Sequence, residues 1–302
     1  MIFWGENFEM SLYTLENDFL KVIVSSIGAE LQSIFSKDTN CEYIWQPVEG
    51  IWGRHSMILF PNAGRIADNY VIIGDTKYPA RMHGFAYEKN FDLLHKDSNS
   101  VVLGIHDDSE TLETFPYKFK FEVIFRLEKQ SLIEEFRVIN KDANDIYFSL
   151  GAHPGFRCPI LENENSEDYC LLFDSPQNIG ILEYTPDKRL LTGKKFPWLT
   201  ESREIHLCDN FFDNGPILAG GMAADSIMLY SEKSGRYIKM GVKDFEYLCL
   251  WGNERKMSII CIEPWCGTSD YANTNHVWET KVGIQKLKSK DIFVRKLEFS
   301  VG

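Results

Sequence analysis

"YKFKFEVIFRLEKQSLIEEFRVINK" (residues 117–141) decides the fold class. Phe119, Phe121, Val123, Phe125 and Leu127 are apolar at every second position, with Lys118, Lys120, Glu122 and Arg126 between them. Successive side chains of a strand point to opposite faces, so this spacing predicts a strand with one buried face, not a helix. Turn candidates Glu128 to Ser131 follow. A second alternating run, Glu134 to Asn140, sets Phe136 and Val138 on one face. The two runs predict a β-hairpin.

The same signal recurs on both sides of the hairpin. Residues 19–35 are rich in β-branched and aromatic types, and further strands are expected over 69–79, 99–106, 145–152, 226–232, 236–242, 246–251, 257–263 and 292–301. No segment keeps apolar spacing at i, i+3, i+4 and i+7 over three turns. The stretch 180–200 contains Pro186 and Pro197 and reads as irregular. With no internal repeat and no flexible linker, residues 1–302 are expected to form one large antiparallel all-β domain, two packed sheets with a concave or loop-lined cleft.

The 302 residues are 44% hydrophobic and 14% aromatic, enough for a sizeable core, and the formal net charge is −12. Such a field repels nucleic acid and anionic membrane, so neither is an expected partner. Seven cysteines are scattered without a CxxC pair, which argues against a disulfide framework. Cys249 and Cys261 lie in apolar runs and read as small core hydrophobes. No secretory leader is visible and no apolar run approaches the roughly 18 residues that cross a bilayer. A cytoplasmic protein is expected.

Three titratable residues share one local pattern. "YPARMHGFAY" (78–87) places His83 before Gly84 and Phe85. "IYFSLGAHPGF" (146–156) places His153 before Pro154, Gly155 and Phe156, and "SIICIEPW" (258–265) places Glu263 before Pro264 and Trp265. In each, a short strand is expected to end at the titratable residue, a turn follows, and then an aromatic. His55, His95, His106 and His206 lack the pattern, and His276 sits in a polar loop. "GRHSMILFPNAGRIADN" (53–69) adds Asn62 and Arg65, an arginine able to donate to oxygens as a fork. "NFFDNGPIL" (210–218) adds Asp213, which an ordinary turn also explains.

These residue types permit several chemistries. A glutamate among apolar neighbours has its ionised form disfavoured and becomes a usable base near neutral pH, and a histidine can supply the matching proton. Opening a sugar hemiacetal needs that combination, a base at the anomeric hydroxyl and an acid at the ring oxygen. Trp265 and Phe85 would cover the sugar, and Arg65, Asn62 and Asp213 would hold its hydroxyls. Two histidines and a carboxylate also suit a non-haem iron, without the close spacing that strengthens that reading. Asp213 with Glu263 would suit glycoside hydrolysis. A catalytically silent sugar-binding or sensing protein needs only the cleft.

Taken in order, "FPNAGRI", "MHGFA", "GAHPGF" and "CIEPW" resemble the aldose 1-epimerase (galactose mutarotase) family, closest to its bacterial branch of mutarotase-related proteins. The likeness runs from "IGAELQSIF" (27–35) and "EYIWQP" (42–47) through "EPWCG". The resemblance implies a large β-sandwich, the supersandwich. It implies interconversion of hexose anomers without metal or organic cofactor, on a small-molecule sugar, by a monomer or homodimer. It assigns Glu263 as base and His153 as acid at the ring oxygen. It makes His83 and Arg65 substrate-binding, with Asp213 the looser match for a hydroxyl-binding aspartate. Two departures bear on which sugar is taken: Gly84 is followed by Phe85 instead of a second glycine, and the segment from Arg65 to His83 is short. A phosphorylated hexose, an alternative substrate, would need further basic residues in the cleft, and the sequence places none.

Overall fold

The computed structural model describes residues 10–302. The opening hairpin forms as read: Phe119–Glu128 pairs antiparallel with Ser131–Asn140 from Phe119 opposite Asn140 to Glu128 opposite Ser131. Phe121, Val123, Phe125, Phe136 and Val138 are fully buried on the inner face. The hairpin belongs to one 14-stranded antiparallel sheet, and the other sheets have four, two and two strands. Among the described residues the only α-helix is Ser109–Leu112, and no helix is long and apolar enough to cross a membrane.

The sandwich arises chiefly because the large sheet folds over on itself. Phe60, beside the terminal strand Ser56–Leu59, stacks on Phe121 of the hairpin with centroids 4.7 Å apart. Phe156 of Leu150–Arg157 lies 6.4 Å from Phe299 of Ile292–Val301. Strands distant along the sheet therefore share one apolar core, to which Val22, Val24 and Leu31 of the four-stranded sheet also contribute. All seven cysteines are free.

Three expectations are corrected. The stretch 180–200 is not irregular: Tyr169–Tyr184 and Leu191–His206 form a long, bulged ribbon. Among the described strands Leu191–His206 pairs along its length with Tyr169–Tyr184 alone, apart from a single bridge between Leu191 and Tyr271, so Pro197 sits on an edge strand, where a missing N–H costs least. The expected strand over 145–152 is two. Ile146–Phe148 pairs with Gln285–Leu287, while Leu150–Arg157 joins the main sheet. Finally, His153 and Glu263 lie inside strands, not at their ends. Leu150–Arg157 and Ile259–Cys266 run through Pro154 and Pro264 because the ladder between them is interrupted there. The strands pair at Gly151–Trp265 and Gly155–Cys261 but not between, where two prolines contribute no donor.

Candidate active site

The interrupted ladder is where the titratable residues meet. The pairs Gly151–Trp265 and Gly155–Cys261 bracket His153 and Glu263, which therefore stand opposite each other. Met57 is opposite His153, and Cys249 is opposite Glu263. Directly opposed residues of antiparallel strands project to the same face. Met57, His153, Glu263 and Cys249 thus form one row across four strands, and all four line a cavity of about 230 Å³. The alternate residues Ala152, Phe156, Ile260 and Ile262 enter the hydrophobic core. The continuous apolar run before Glu263 is therefore a strand buried on both faces.

Two glycines clear space beside His153. A Cβ on Gly151 would lie 2.6 Å from Trp265 Cδ1, and one on Gly155 would lie 2.7 Å from Trp52 Cζ3. Trp52 consequently stacks on His153 at 5.0 Å with planes 22° apart. Trp251, Trp265 and Trp52 line the cavity, giving it aromatic walls of the kind that pack on apolar faces of a ligand.

His153 Nε2 is 3.3 Å from Glu263 Oε1, and the two residues are 7% and 1% exposed. Burial raises the Glu263 carboxyl well above its usual value. The Cys249 thiol and Trp265 indole oppose that rise, although Trp265 Nε1 reaches no hydrogen bond of ordinary geometry. Burial, and then the neighbouring His83, hold His153 well below its usual value. Both shifts favour the neutral forms, so at rest the contact sets a protonated Glu263 beside a neutral imidazole and is not an ion pair. Glu263 Oε2 and His153 Nδ1 have no protein partner.

His83 comes from a turn, with the left-handed φ of +66° that a non-glycine residue seldom adopts. Its ring stands 5.7 Å from that of His153. The turn is tied to the Arg65 loop: His83 N donates to Gly64 O at 3.1 Å and Gly64 N donates to His83 Nδ1 at 3.2 Å. An accepting Nδ1 puts the proton of the neutral ring on Nε2. Burial and the Arg65 charge lower His83 to about 4, so the ring is neutral at physiological pH. Arg65 lines the cavity, and its own backbone is held by Ser269 Oγ (3.0 Å) and by Asp270 N (2.8 Å).

Three other expected contacts are not made. Asn62 is 2% exposed and does not line this cavity. Its amide donates to Gly64 O at 3.3 Å and Arg81 O at 2.9 Å, so it braces the Arg65 loop against the His83 turn. Asp213 is exposed on the turn after Asp209, accepts from Arg255 N at 3.3 Å, and is absent from the lining. The paired-carboxylate reading loses its second carboxylate with it. Phe85 packs in the core beside Phe60. Among the described residues no three His, Cys, Asp or Glu side chains are grouped to hold a metal ion. Cys249, read as a plain core residue, borders Glu263 in the cavity.

The structure adds Tyr184, Arg189 and Ser269 to the lining. Tyr184 and Arg189 come from the 180–200 stretch, whose strand pairing carries no clear period in sequence. A larger cavity, about 420 Å³, lies behind Asn62 and Phe85. Two of its charged pairs are already closed on each other, Arg81 with Glu88 at 2.5 Å and Lys89 with Glu110 at 2.6 Å.

Residues 11–273 match the family model described as Aldose 1-epimerase. The plasmid-borne protein LacX of Lactococcus lactis is 30% identical over 95% of this chain and 98% of its own length. A galactose mutarotase related enzyme from Lactobacillus acidophilus superposes with a TM-score of 0.91 at 28% identity, covering 97% of each chain. A galactose mutarotase-like protein from Lactobacillus casei superposes with a TM-score of 0.90 at 28% identity, covering 97% of this chain and 100% of that one.

Proposed function

The chain belongs to the aldose 1-epimerase family, and on that premise we propose that it is a hexose mutarotase that interconverts α and β anomers by acid/base ring opening. The observation that carries the proposal is the buried His153–Glu263 contact of 3.3 Å on the wall of a cavity sized for a monosaccharide.

Glu263 and His153 hold one proton between them. Moving it from the carboxyl to Nε2 gives a carboxylate and an imidazolium with no exchange with water. A bound sugar favours that form, because its anomeric hydroxyl donates to the carboxylate and its ring oxygen accepts from the imidazolium. Glu263 then takes the anomeric proton while His153 gives its proton to the ring oxygen. The C1–O5 bond breaks and C1 becomes the aldehyde carbon.

The pair is now neutral, the form that burial favours, so ring opening runs with the electrostatic preference of the site. The C1–C2 bond rotates. Glu263 returns its proton to the aldehyde oxygen as His153 takes one from the C5 hydroxyl, and the ring closes on the other face. His83, fixed as the Nε2–H tautomer, is a neutral donor to a sugar oxygen, and Arg65 donates to hydroxyls.

The test is Glu263→Gln. Removing a positioned acid/base group costs about 10²–10⁴ in rate. Mutarotation of freshly dissolved α-glucose and α-galactose in a polarimeter should fall by that factor while calorimetric sugar binding persists. A variant that mutarotates at the wild-type rate excludes Glu263 as base. Tight binding by the wild type without acceleration would mark a silent binding protein.

A further inference from the structure

The acid of the proposed pair lacks the support that a charged imidazole ordinarily has. A histidine that carries charge in a buried site is often backed at its second nitrogen by a carboxylate or a carbonyl. His153 is 7% exposed, and its Nδ1 has no hydrogen-bond partner. Glu263 lies on the other side, 3.3 Å from Nε2, and among the described residues it is the one carboxylate within 4.0 Å of the ring. His83 stands 5.7 Å away and nearly edge-on at 84°, neutral until about pH 4, with the Arg65 charge beyond it. The Cys249 and Cys261 thiols beside Glu263 are kept protonated by burial. Met57 opposes His153 on the next strand and brings no charge. The imidazolium that forms when Glu263 passes its proton to Nε2 therefore has no second anion to stabilise it.

What the ring has instead is an indole face. Trp52 stacks on His153 with centroids 5.0 Å apart and planes 22° from parallel, whereas Trp251 meets the same ring at 6.3 Å and 62°. Trp52 is half-buried and held from several sides. Its carbonyl accepts from Trp45 Nε1 at 3.1 Å and from Val48 N at 3.3 Å. Trp251 packs edge-on against it at 5.9 Å, and both indoles rest on the buried group of Trp45, Ile259 and Cys261. Gly155, two residues beyond His153, leaves the room: a Cβ there would lie 2.7 Å from Trp52 Cζ3 and 3.0 Å from Ile259 Cδ1. The backbone at Gly155 is fixed in turn, donating to His55 O at 2.9 Å and accepting from Trp45 N at 2.8 Å. The stack is thus set by the strand and by the loop together.

We infer that Trp52 is a positioning residue for the reaction: its indole face fixes the plane of the His153 ring and stabilises the imidazolium form by cation–π attraction. The inference rests on the mutarotase reading for the reaction, while the stacked pair belongs to the free protein. The π face of an indole is negative and attracts a cation within about 6 Å of its centre, more strongly where water is excluded. A neutral imidazole gains the packing contact but not that attraction, so the indole favours the charged ring. In the free protein His153 is neutral, and ring opening passes through the imidazolium. Support of that form by Trp52 therefore lowers the barrier counted from free protein and free sugar, the one that kcat/KM measures.

The test places tryptophans with one, two or three ring fluorines at position 52 alone. Fluorine draws electron density from the π face and leaves the shape of the side chain nearly unchanged. Trp52→Leu would instead admit water, which by itself favours the charged ring and masks the effect. NMR of the His153 imidazole nitrogens follows its acid titration in the sugar-free protein, and polarimetry with α-glucose and α-galactose gives kcat/KM. Across the series the titration should move to lower pH by about half to one unit, and kcat/KM should fall about three- to tenfold. A titration that stays in place overturns the inference, and so does one that moves while kcat/KM holds. A fall in kcat/KM with the titration in place would make Trp52 a contact of the sugar alone. A titration that moves in a protein without mutarotase activity would uphold the support of the imidazolium and refute the mutarotase reading. Mutarotation with the titration in place would do the reverse. The melting temperature of each variant verifies that the fold is retained.

Discussion

Glu134 offers a test of the core that is independent of the reaction. It lies in the second strand of the opening hairpin, on the same face as Leu132, Phe136 and Val138, all fully buried. Its cross-strand neighbours are Phe125 and Leu297, both 0% exposed. Glu134 is itself 1% exposed, and neither carboxyl oxygen has a hydrogen-bond partner. Burial alone raises its pKa from 4.5 to about 8.

The sign follows from proton binding. The folded state keeps the proton up to about pH 8, whereas the unfolded chain releases it near 4.5. Stability is therefore fully present below 4.5, falls as pH rises towards 8, and is level above that. The loss is about 1.4 kcal/mol per pH unit, so by pH 7 it is about 3 kcal/mol relative to pH 4.

Glu134→Gln keeps the shape and removes the titration. Its amide still lacks partners, which shifts stability by an amount that does not vary with pH. Urea unfolding of both proteins at pH 4.5, 6, 7 and 8 gives the difference in stability at each pH, and other titrating groups cancel. The variant should gain about 3 kcal/mol on the wild type between pH 4.5 and 7. A difference that stays constant across that range would refute a neutral, unpartnered carboxyl at this position.

Two further predictions concern the frame of the site. Lys281 Nζ is 2.5 Å from Asp270 Oδ1, both side chains being 5% exposed, and Asp270 Oδ2 accepts from Ala67 N at 2.9 Å. Lys281→Met should cost about 3–5 kcal/mol in urea unfolding by leaving a buried carboxylate unpaired, and adding Asp270→Asn should recover part of it; equal stability of wild type and single variant would contradict a buried ion pair. His83 should show, by NMR of its imidazole nitrogens, a neutral ring protonated on Nε2 at pH 7 that gains its second proton only as pH falls through about 4. Titration near 6.5, or a proton on Nδ1, would remove it as a fixed neutral donor.

How much of this was legible in sequence depends on the range of the interaction. The hairpin was readable because Phe119 to Leu127 alternate locally and the partner follows after a short turn. The order of strands in the large sheet has no such local mark. Pro197 even argued for disorder of pattern where an edge strand runs, because a proline reads as a breaker unless one knows which side of a strand faces solvent. The same limit moved His153 and Glu263 from supposed strand ends into strand interiors: Pro154 and Pro264 fall where the two strands make no ladder contact with each other.

The site itself was legible in its members and illegible in its arrangement. Glu263, His153, His83 and Arg65 share the cavity, and each stands beside a glycine or a proline that the sequence shows. Their meeting depends on register, since a shift of one residue between Leu150–Arg157 and Ile259–Cys266 would send His153 or Glu263 into the core. Asn62 and Asp213 were chosen by residue type, and a type does not reveal direction: one braces a loop from behind and the other faces solvent. Arg189 was passed over for the converse reason. Its place over Gly215 is set by a long ribbon and a turn with positive φ, which leave no period to read. The charge balance of the cavity was therefore misjudged from sequence in both directions, with an acidic residue credited and a basic one missed.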